Sequence, residues 1–152
     1  MIRRRKKLRR GGDRFGVKKI VKDGESYRSG LEVTIHNVID RAEEAGDYKL
    51  LNREDHVRLG PAKFLYIPDF KCQALRDFTL SSVRFAEGET FWIEAKGKET
   101  ETWRRNYRLW KIHGPGKLVI YRGYKAQYRL SEVLVPRGGL CETCGQPLQV
   151  AS

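Results

Sequence analysis

The sequence predicts a mixed α/β fold, with a central mixed β-sheet flanked by helices. Three observations predict it. An amphipathic helix opens the patterned part of the chain, a series of short apolar strands follows, and a second, tryptophan-bearing helix leads into a buried strand. With 152 residues there is room for one modest core and not for two.

The first helix is predicted over Ser29 to Ala45. Leu31, Ile35, Val38, Ile39 and Ala42 follow helical spacing and form one apolar stripe, with Glu32, His36 and Glu43 off it. Ser29 suits the N-cap and Gly46 the stop. From Tyr48 the pattern turns extended. Val57 to Leu59 reads as a short strand before Gly60-Pro61, and Lys63 to Ile67 as a clearer one stopped by Pro68. Phe78 to Phe85 is a further strand, and Ala86-Glu87-Gly88-Glu89 a turn. Thr90 to Lys96 is next, with Gly97 after it. Trp103, Tyr107 and Trp110 recur at i, i+4, i+7 and place a second helix over Glu101 to His113. Gly114-Pro115-Gly116 breaks it, and Leu118 to Tyr121 is a buried strand. Tyr128 to Val135 reads either as a strand or as a short helix.

Charge narrows the partner. The chain holds 31 Lys and Arg against 19 Asp and Glu, a net +12. Seven of the positive charges and no acid fall in the first ten residues, at Arg3, Arg4, Arg5, Lys6, Lys7, Arg9 and Arg10. Residues 1–13 therefore read as a flexible basic arm ended by Gly11-Gly12, suited to phosphate contact. A basic body with a more basic arm fits a polyanion better than an apolar small molecule. Aromatic content of 11% argues against disorder. No apolar run approaches the roughly 20 residues of a membrane helix. The basic N-terminus lacks the following apolar stretch of a secretory signal. Three cysteines, an odd number, argue against a disulfide framework, so a reducing cytoplasm is expected.

The residues that suggest chemistry are two carboxylates and an amine. Pro68-Asp69 follows one apolar strand, and Glu94-Ala95-Lys96 lies on another. Side chains alternate along a strand, so Glu94 and Lys96 project from one face. If the strand ending at Asp69 pairs beside Glu94, two carboxylates and an ammonium converge. Two carboxylates hold hard divalent cations such as Mg²⁺. A metal so held activates water and neutralises phosphoryl charge, and Lys96 would stabilise developing negative charge.

Pro68-Asp69 with Glu94-x-Lys96 resembles the signature of the PD-(D/E)xK nuclease superfamily. Ser29-Gly30-Leu31-Glu32, Tyr66-Ile67-Pro68-Asp69-Phe70 and Ile93-Glu94-Ala95-Lys96-Gly97 further resemble the bacteriophage endonuclease I family of Holliday junction resolvases. So does the order of a basic helix, Trp103 to His113, before the strand Leu118 to Tyr121. The resemblance covers Ser29 to Gly123. It implies a restriction-endonuclease-like core, with residues 14–135 as the nuclease domain and 136–152 as a C-terminal tail. It implies Glu32, Asp69, Glu94 and Lys96 as the catalytic positions, and Glu32, Asp69 and Glu94 as ligands of Mg²⁺ or Mn²⁺. It implies a homodimer that cuts branched DNA in the cytoplasm, which for a phage protein is that of the host. The chain departs from the family between Lys71 and Glu89, an insertion expected to add a strand or loop near the site.

Other residues carry double readings. Ser29-x-x-Glu32 is also a capping box, which leaves Glu32 room for a structural role. His36 reads as a surface histidine and His113 as a C-terminal cap. Lys98, Arg104, Arg105, Arg108 and Lys111 form a basic cluster suited to a DNA backbone, with Trp103 and Trp110 as core. Cys141-x-x-Cys144 is half a zinc site and equally a plain turn, while Cys72 reads as structural. The alternatives to a junction resolvase are a nicking or restriction-like nuclease of the same fold, and a non-catalytic nucleic-acid-binding protein.

Overall fold

The computed structural model describes residues 20–138. The basic arm and the Cys141-x-x-Cys144 segment lie outside the described residues. In chain order the elements are β1 (Ile20–Lys22), β2 (Glu25–Tyr27), α1 (Gly30–Glu44), β3 (Tyr48–Arg53), β4 (Val57–Leu59), β5 (Phe64–Tyr66) and β6 (Phe70–Ala74). They continue with β7 (Phe78–Leu80), β8 (Val83–Phe85), β9 (Thr90–Lys96), α2 (Glu101–His113), β10 (Leu118–Tyr124) and β11 (Gln127–Leu134). The fold is mixed α/β, and it is richer in strand than the sequence pattern indicates.

The central sheet has five strands in the order β11-β10-β9-β6-β3. Only β9 and β10 run parallel, joined through α2, and the other neighbours are antiparallel. Three hairpins, β1–β2, β4–β5 and β7–β8, stand beside it. Alternation along the strands divides the core into two. Phe70 and Cys72 of β6, Phe91 and Ile93 of β9, and Val119 and Tyr121 of β10 pack against Leu31, Ile35 and Ile39 of α1. Trp92, Leu118 and Ile120 face the opposite way and meet Trp103 and Trp110 of α2 with Leu59 and Tyr66 of the β4–β5 hairpin. Burial makes Cys72 an inert core residue, its thiol pKa pushed far up.

Both helices follow from local chemistry. Ser29 caps α1, its hydroxyl accepting from the Glu32 N–H at 3.2 Å. Gly46, at φ +78°, ends the helix, and Asp47 N–H returns to the Ala42 carbonyl. Thr100 caps α2 by accepting from the Trp103 N–H at 3.1 Å. The Gly114-Pro115-Gly116 break is required by tryptophan. A Cβ at Gly114 would lie 2.6 Å from Trp110 Nε1, and one at Gly116 2.8 Å from Trp92 Cζ3.

Three expectations need correction. Lys63 to Ile67 contains a strand, but β5 pairs with β4 and not with the central sheet. Asp69 therefore does not follow a strand that lies beside Glu94; it stands at the head of β6, which does. Phe78 to Phe85 is not one strand but the hairpin β7–β8, turned at Ser81 and Ser82, both with positive φ. The segment Lys71 to Glu89 is not an insertion near the site. Its first residues are β6 itself, running away from Asp69, and the chain returns to Glu94 along β9. At about 3.3 Å per residue, the hairpin leaves the sheet some 17 Å from Asp69. There Phe78 stacks on Phe85 at 4.7 Å, and Phe85 meets Phe91 at 4.8 Å.

That aromatic cluster yields a test of the fold. Phe85 is fully buried, so Phe85→Ala should cost about 3–5 kcal/mol of stability in a urea melt. A loss under about 1 kcal/mol would mean the hairpin does not pack on the core.

Candidate active site

Residues of α1, β5, β9 and α2, with Asp69 at the head of β6, converge on one cleft of about 280 Å³, whose walls include Glu32, Tyr66, Asp69, Glu94, Lys96 and Asn106. Strand register makes this convergence. Phe70 stands opposite Ile93 in the antiparallel β6–β9 pair, and both face α1. Their neighbours Asp69 and Glu94 consequently point to the other side, toward α2. Asp69 Oδ2 accepts from the Ala95 N–H at 2.8 Å, which fixes its carboxylate against β9. Lys96, two residues beyond Glu94, projects the same way. Its Nζ is 3.8 Å from Glu94 Oε1 and 5.5 Å from the centre of the Trp103 ring.

Glu32 enters from α1. It is 7% exposed, so the apolar stripe alone misjudges it as facing outward. Its Oε2 accepts from the Arg28 N–H at 3.1 Å, and Arg53 lies 3.9 Å away. The capping role and the cleft position therefore coexist in one side chain. All four expected positions, Glu32, Asp69, Glu94 and Lys96, line the same cleft.

The electrostatics of the cleft are unbalanced. Burial, then the charges of Glu94 and Glu32, raise the Asp69 pKa well above the usual carboxylate range. Burial pushes Glu94 up to about 7, with Lys96 opposing the shift. Burial also raises Glu32. Glu94 Oε2 and the Tyr66 hydroxyl are both buried and make no hydrogen bond of regular geometry among the described residues, but they lie near enough to act on each other as hydrogen-bond partners, the hydroxyl holding the Glu94 pKa down. Buried polar groups are rarely left without a regular hydrogen bond, because desolvation without a partner costs about 1–3 kcal/mol or more.

Among the described residues no cluster of three or more carboxylate, imidazole or thiol groups is arranged to hold a metal ion. Mg²⁺ does not need one, since it is commonly bound by one or two carboxylates with waters and substrate phosphates. Asp69 and Glu94, with a carboxylate oxygen that lacks a regular hydrogen bond and raised affinity for a positive charge, fit that donor set.

The surrounding residues sort differently from expectation. His36 is only partly at the surface, its side chain 15% exposed. Its Nδ1 is 2.6 Å from the Tyr27 hydroxyl, and its ring lies between those of Tyr27 and Phe70. His113 is not the C-cap of α2; Gly114 is, and His113 packs against Gly60. Arg104, Arg108, Lys111 and Lys98 are exposed, while Arg105 is half-buried over the Phe64 ring. Arg104 is paired with Glu99 at 3.3 Å. Trp103 and Trp110 are core, as expected.

Sequence reasoning missed Tyr66, Asn106, Arg28 and Arg53. Asn106 carried a signal, since it lies on the Trp103–Trp110 stripe where a polar residue is out of place. Arg28 and Arg53 carried none, because their approach to Glu32 is tertiary. No family model matches the chain, and no curated protein or solved structure is significantly similar to it.

The carboxylates dictate a pH dependence. The folded state holds Glu94's proton up to about pH 7, whereas the unfolded chain releases it near 4.5. Folding therefore favours the protonated form. Stability of the metal-free protein should fall as pH rises above about 4.5, by on the order of 3 kcal/mol from Glu94 by about pH 7, with the raised Asp69 pKa adding to the fall in the same direction. Asp69→Asn, which relieves the like-charge contact, should stabilise the metal-free protein above pH 7. Denaturant melts across pH decide it: a flat profile, or a destabilised Asp69→Asn protein, contradicts the assigned electrostatics.

Proposed function

We propose that the protein is a divalent-metal-dependent endodeoxyribonuclease with a restriction-endonuclease-like core, acting on branched DNA such as four-way junctions. One observation carries the reading. Asp69 and Glu94 sit side by side on adjacent strands, Lys96 follows on the same face, and Glu94 Oε2 is buried without a hydrogen bond of regular geometry among the described residues. The succession of β6, β9, α2 and the parallel strand β10 supports the resemblance read from the sequence.

Asp69 and Glu94 would hold Mg²⁺ or Mn²⁺, and Glu32 extends the acidic wall. When bound, the ion supplies a water of lowered pKa and neutralises charge on the scissile phosphate. The chain's own groups do the rest. Lys96, kept in place by Glu94 and Trp103, meets negative charge developing on the phosphoryl oxygens. The Ala95 N–H holds the Asp69 carboxylate in one orientation. The basic arm, Lys98 and the exposed arginines of α2 supply backbone contacts to DNA.

Four-way junctions are proposed from the family resemblance read in the sequence, and two symmetric cuts by a one-site chain would then call for a two-fold homodimer. Among the described residues no helix is long and apolar enough to cross a membrane; the proposed place of action is the cytoplasm, that of the host for a phage protein. The Cys141-x-x-Cys144 pair could hold zinc only with ligands from elsewhere, and the nuclease reading does not use it.

The test is incubation with four-way junction, duplex and single-stranded DNA, with Mg²⁺ and with chelator. Junction cleavage should require Mg²⁺. Lys96→Ala should lower turnover about 10²–10³-fold while DNA affinity changes little. Turnover in excess chelator removes the metal-dependent mechanism, and binding without cleavage under all conditions favours a non-catalytic binder. Preference for duplex over junction would leave a nicking or restriction-like nuclease.

A further inference from the structure

The end of the sheet beside the cleft carries an element that the nuclease reading has not used. Strands β10 and β11 meet in a tight turn at Lys125-Ala126, and residues 121–130 contain Arg122, Lys125 and Arg129 with no acid. Arg122 is spent on Glu99, 2.7 Å away. Lys125 Nζ lies over one face of the Tyr124 ring, 5.1 Å from its centre, which leaves the other face for stacking, and Lys125, Arg129 and Lys98 form no salt bridge among the described residues. Tyr124, at the tip, is 71% exposed, the most exposed large hydrophobic side chain among the described residues, and Tyr128 is 39% exposed.

This tip is held rigidly. Thr34 Oγ1 of α1 donates to the Lys125 carbonyl at 2.9 Å, and Arg41 donates to the Tyr128 hydroxyl at 3.3 Å. A Cβ at Gly123 would fall 2.0 Å from the Gln127 carbonyl oxygen, so only glycine lets the two strands approach here. Lys125 occupies a left-handed conformation, φ 54°, where glycine or asparagine is the usual choice. A positive charge is kept at the tip despite the backbone conformation.

The tip also continues the active site. Register places Arg122 opposite Lys96. A second groove of about 340 Å³ runs between the start of α1, residues 96–98 and Tyr124-Lys125, and it shares Ala95 and Lys96 with the carboxylate cleft. A strand whose phosphate sits at Asp69 and Glu94 would have its neighbouring nucleotide in this groove. Duplex DNA keeps its bases stacked inside and offers an exposed tyrosine nothing to stack on. An unpaired nucleotide offers a free π-face together with a phosphate.

Resting on the nuclease reading for the position of the cut, we propose that the β10–β11 tip is a subsite for an unpaired DNA nucleotide flanking the scissile phosphate. Tyr124 is its stacking platform, and Lys98 and Lys125 are its phosphate contacts. The subsite selects DNA whose strands separate next to the cut.

The test uses the full chain in chelator, so no strand is cut. Binding is compared for a fork with splayed single-stranded arms and a fully paired duplex of equal length. The fork carries 2-aminopurine at its first unpaired position. Tyr124→Ala should weaken fork binding about tenfold, within the range for loss of one stacked base, and leave duplex binding unchanged. Wild type and Tyr124→Phe should quench the 2-aminopurine, and Tyr124→Ala should not. Because Tyr124 is exposed, its replacement should leave the melting temperature unchanged. Equal losses on fork and duplex, or quenching retained in Tyr124→Ala, overturns the proposal. So does a change in sedimentation with fork binding intact, which would make the tip a contact between two copies of the chain. No outcome depends on turnover, so a protein that stacks the fork but never cleaves would sink the nuclease reading and leave the subsite standing.

Discussion

Two carboxylates are buried beside one another because a β-sheet requires it. Once Phe70 and Ile93 face each other beneath α1, alternation sends Asp69 and Glu94 together to the opposite side. The protein satisfies only part of what that burial costs. Ala95 N–H takes one oxygen of Asp69, and Lys96 stands 3.8 Å from one oxygen of Glu94. The other Glu94 oxygen makes no hydrogen bond of regular geometry among the described residues, and the pKa values of both acids are raised. Replacing a buried charged pair with apolar residues is often neutral or stabilising, so two acids kept in an open cleft support a functional role over a purely structural one.

The rest of the architecture holds this pair in place. The apolar layer under α1 fixes the register of β6 against β9, so a one-residue slip would turn Asp69 into that apolar layer and Phe70 into the cleft. The tryptophans of α2 close the other side and give Lys96 an aromatic surface to lie on. The β7–β8 hairpin strengthens the far end of the same apolar layer through Phe78 and Phe85. Its distance from the cleft frees the near end, where the β10–β11 tip stands, to address the substrate.

Much of the site was legible in the sequence because strand periodicity is local. Glu94 and Lys96 share a face by alternation alone, and Ser29-x-x-Glu32 announces the start of α1. What was not legible depended on pairing. Tyr48 to Arg53 and Phe70 to Ala74 were not recognised as the strands that complete the sheet. Phe64 to Tyr66 resembles a central strand by composition, yet it pairs with Val57 to Leu59, because nothing local says which partner a strand will take. The separation between Asp69 and Glu94 suggests extra material at the site; the added element is the β7–β8 hairpin, and it sits at the far end of β6 and β9. Glu32 and His36 looked external because only apolar residues defined the helical stripe, and a buried polar network is invisible to that measure. The exposed Tyr124 could be recognised as such only once the hairpin was folded.

If Asp69 and Glu94 form the proposed divalent-cation site, direct titration of the metal-free protein with Mn²⁺ detects it. Calorimetry above pH 7, where the assigned Glu94 carboxylate is ionised, should show saturable binding with proton release growing as the pH is lowered toward that value. Asp69→Asn should abolish the binding while the protein stays folded. Absence of saturable binding up to millimolar Mn²⁺, or binding that survives intact in Asp69→Asn, would contradict the account.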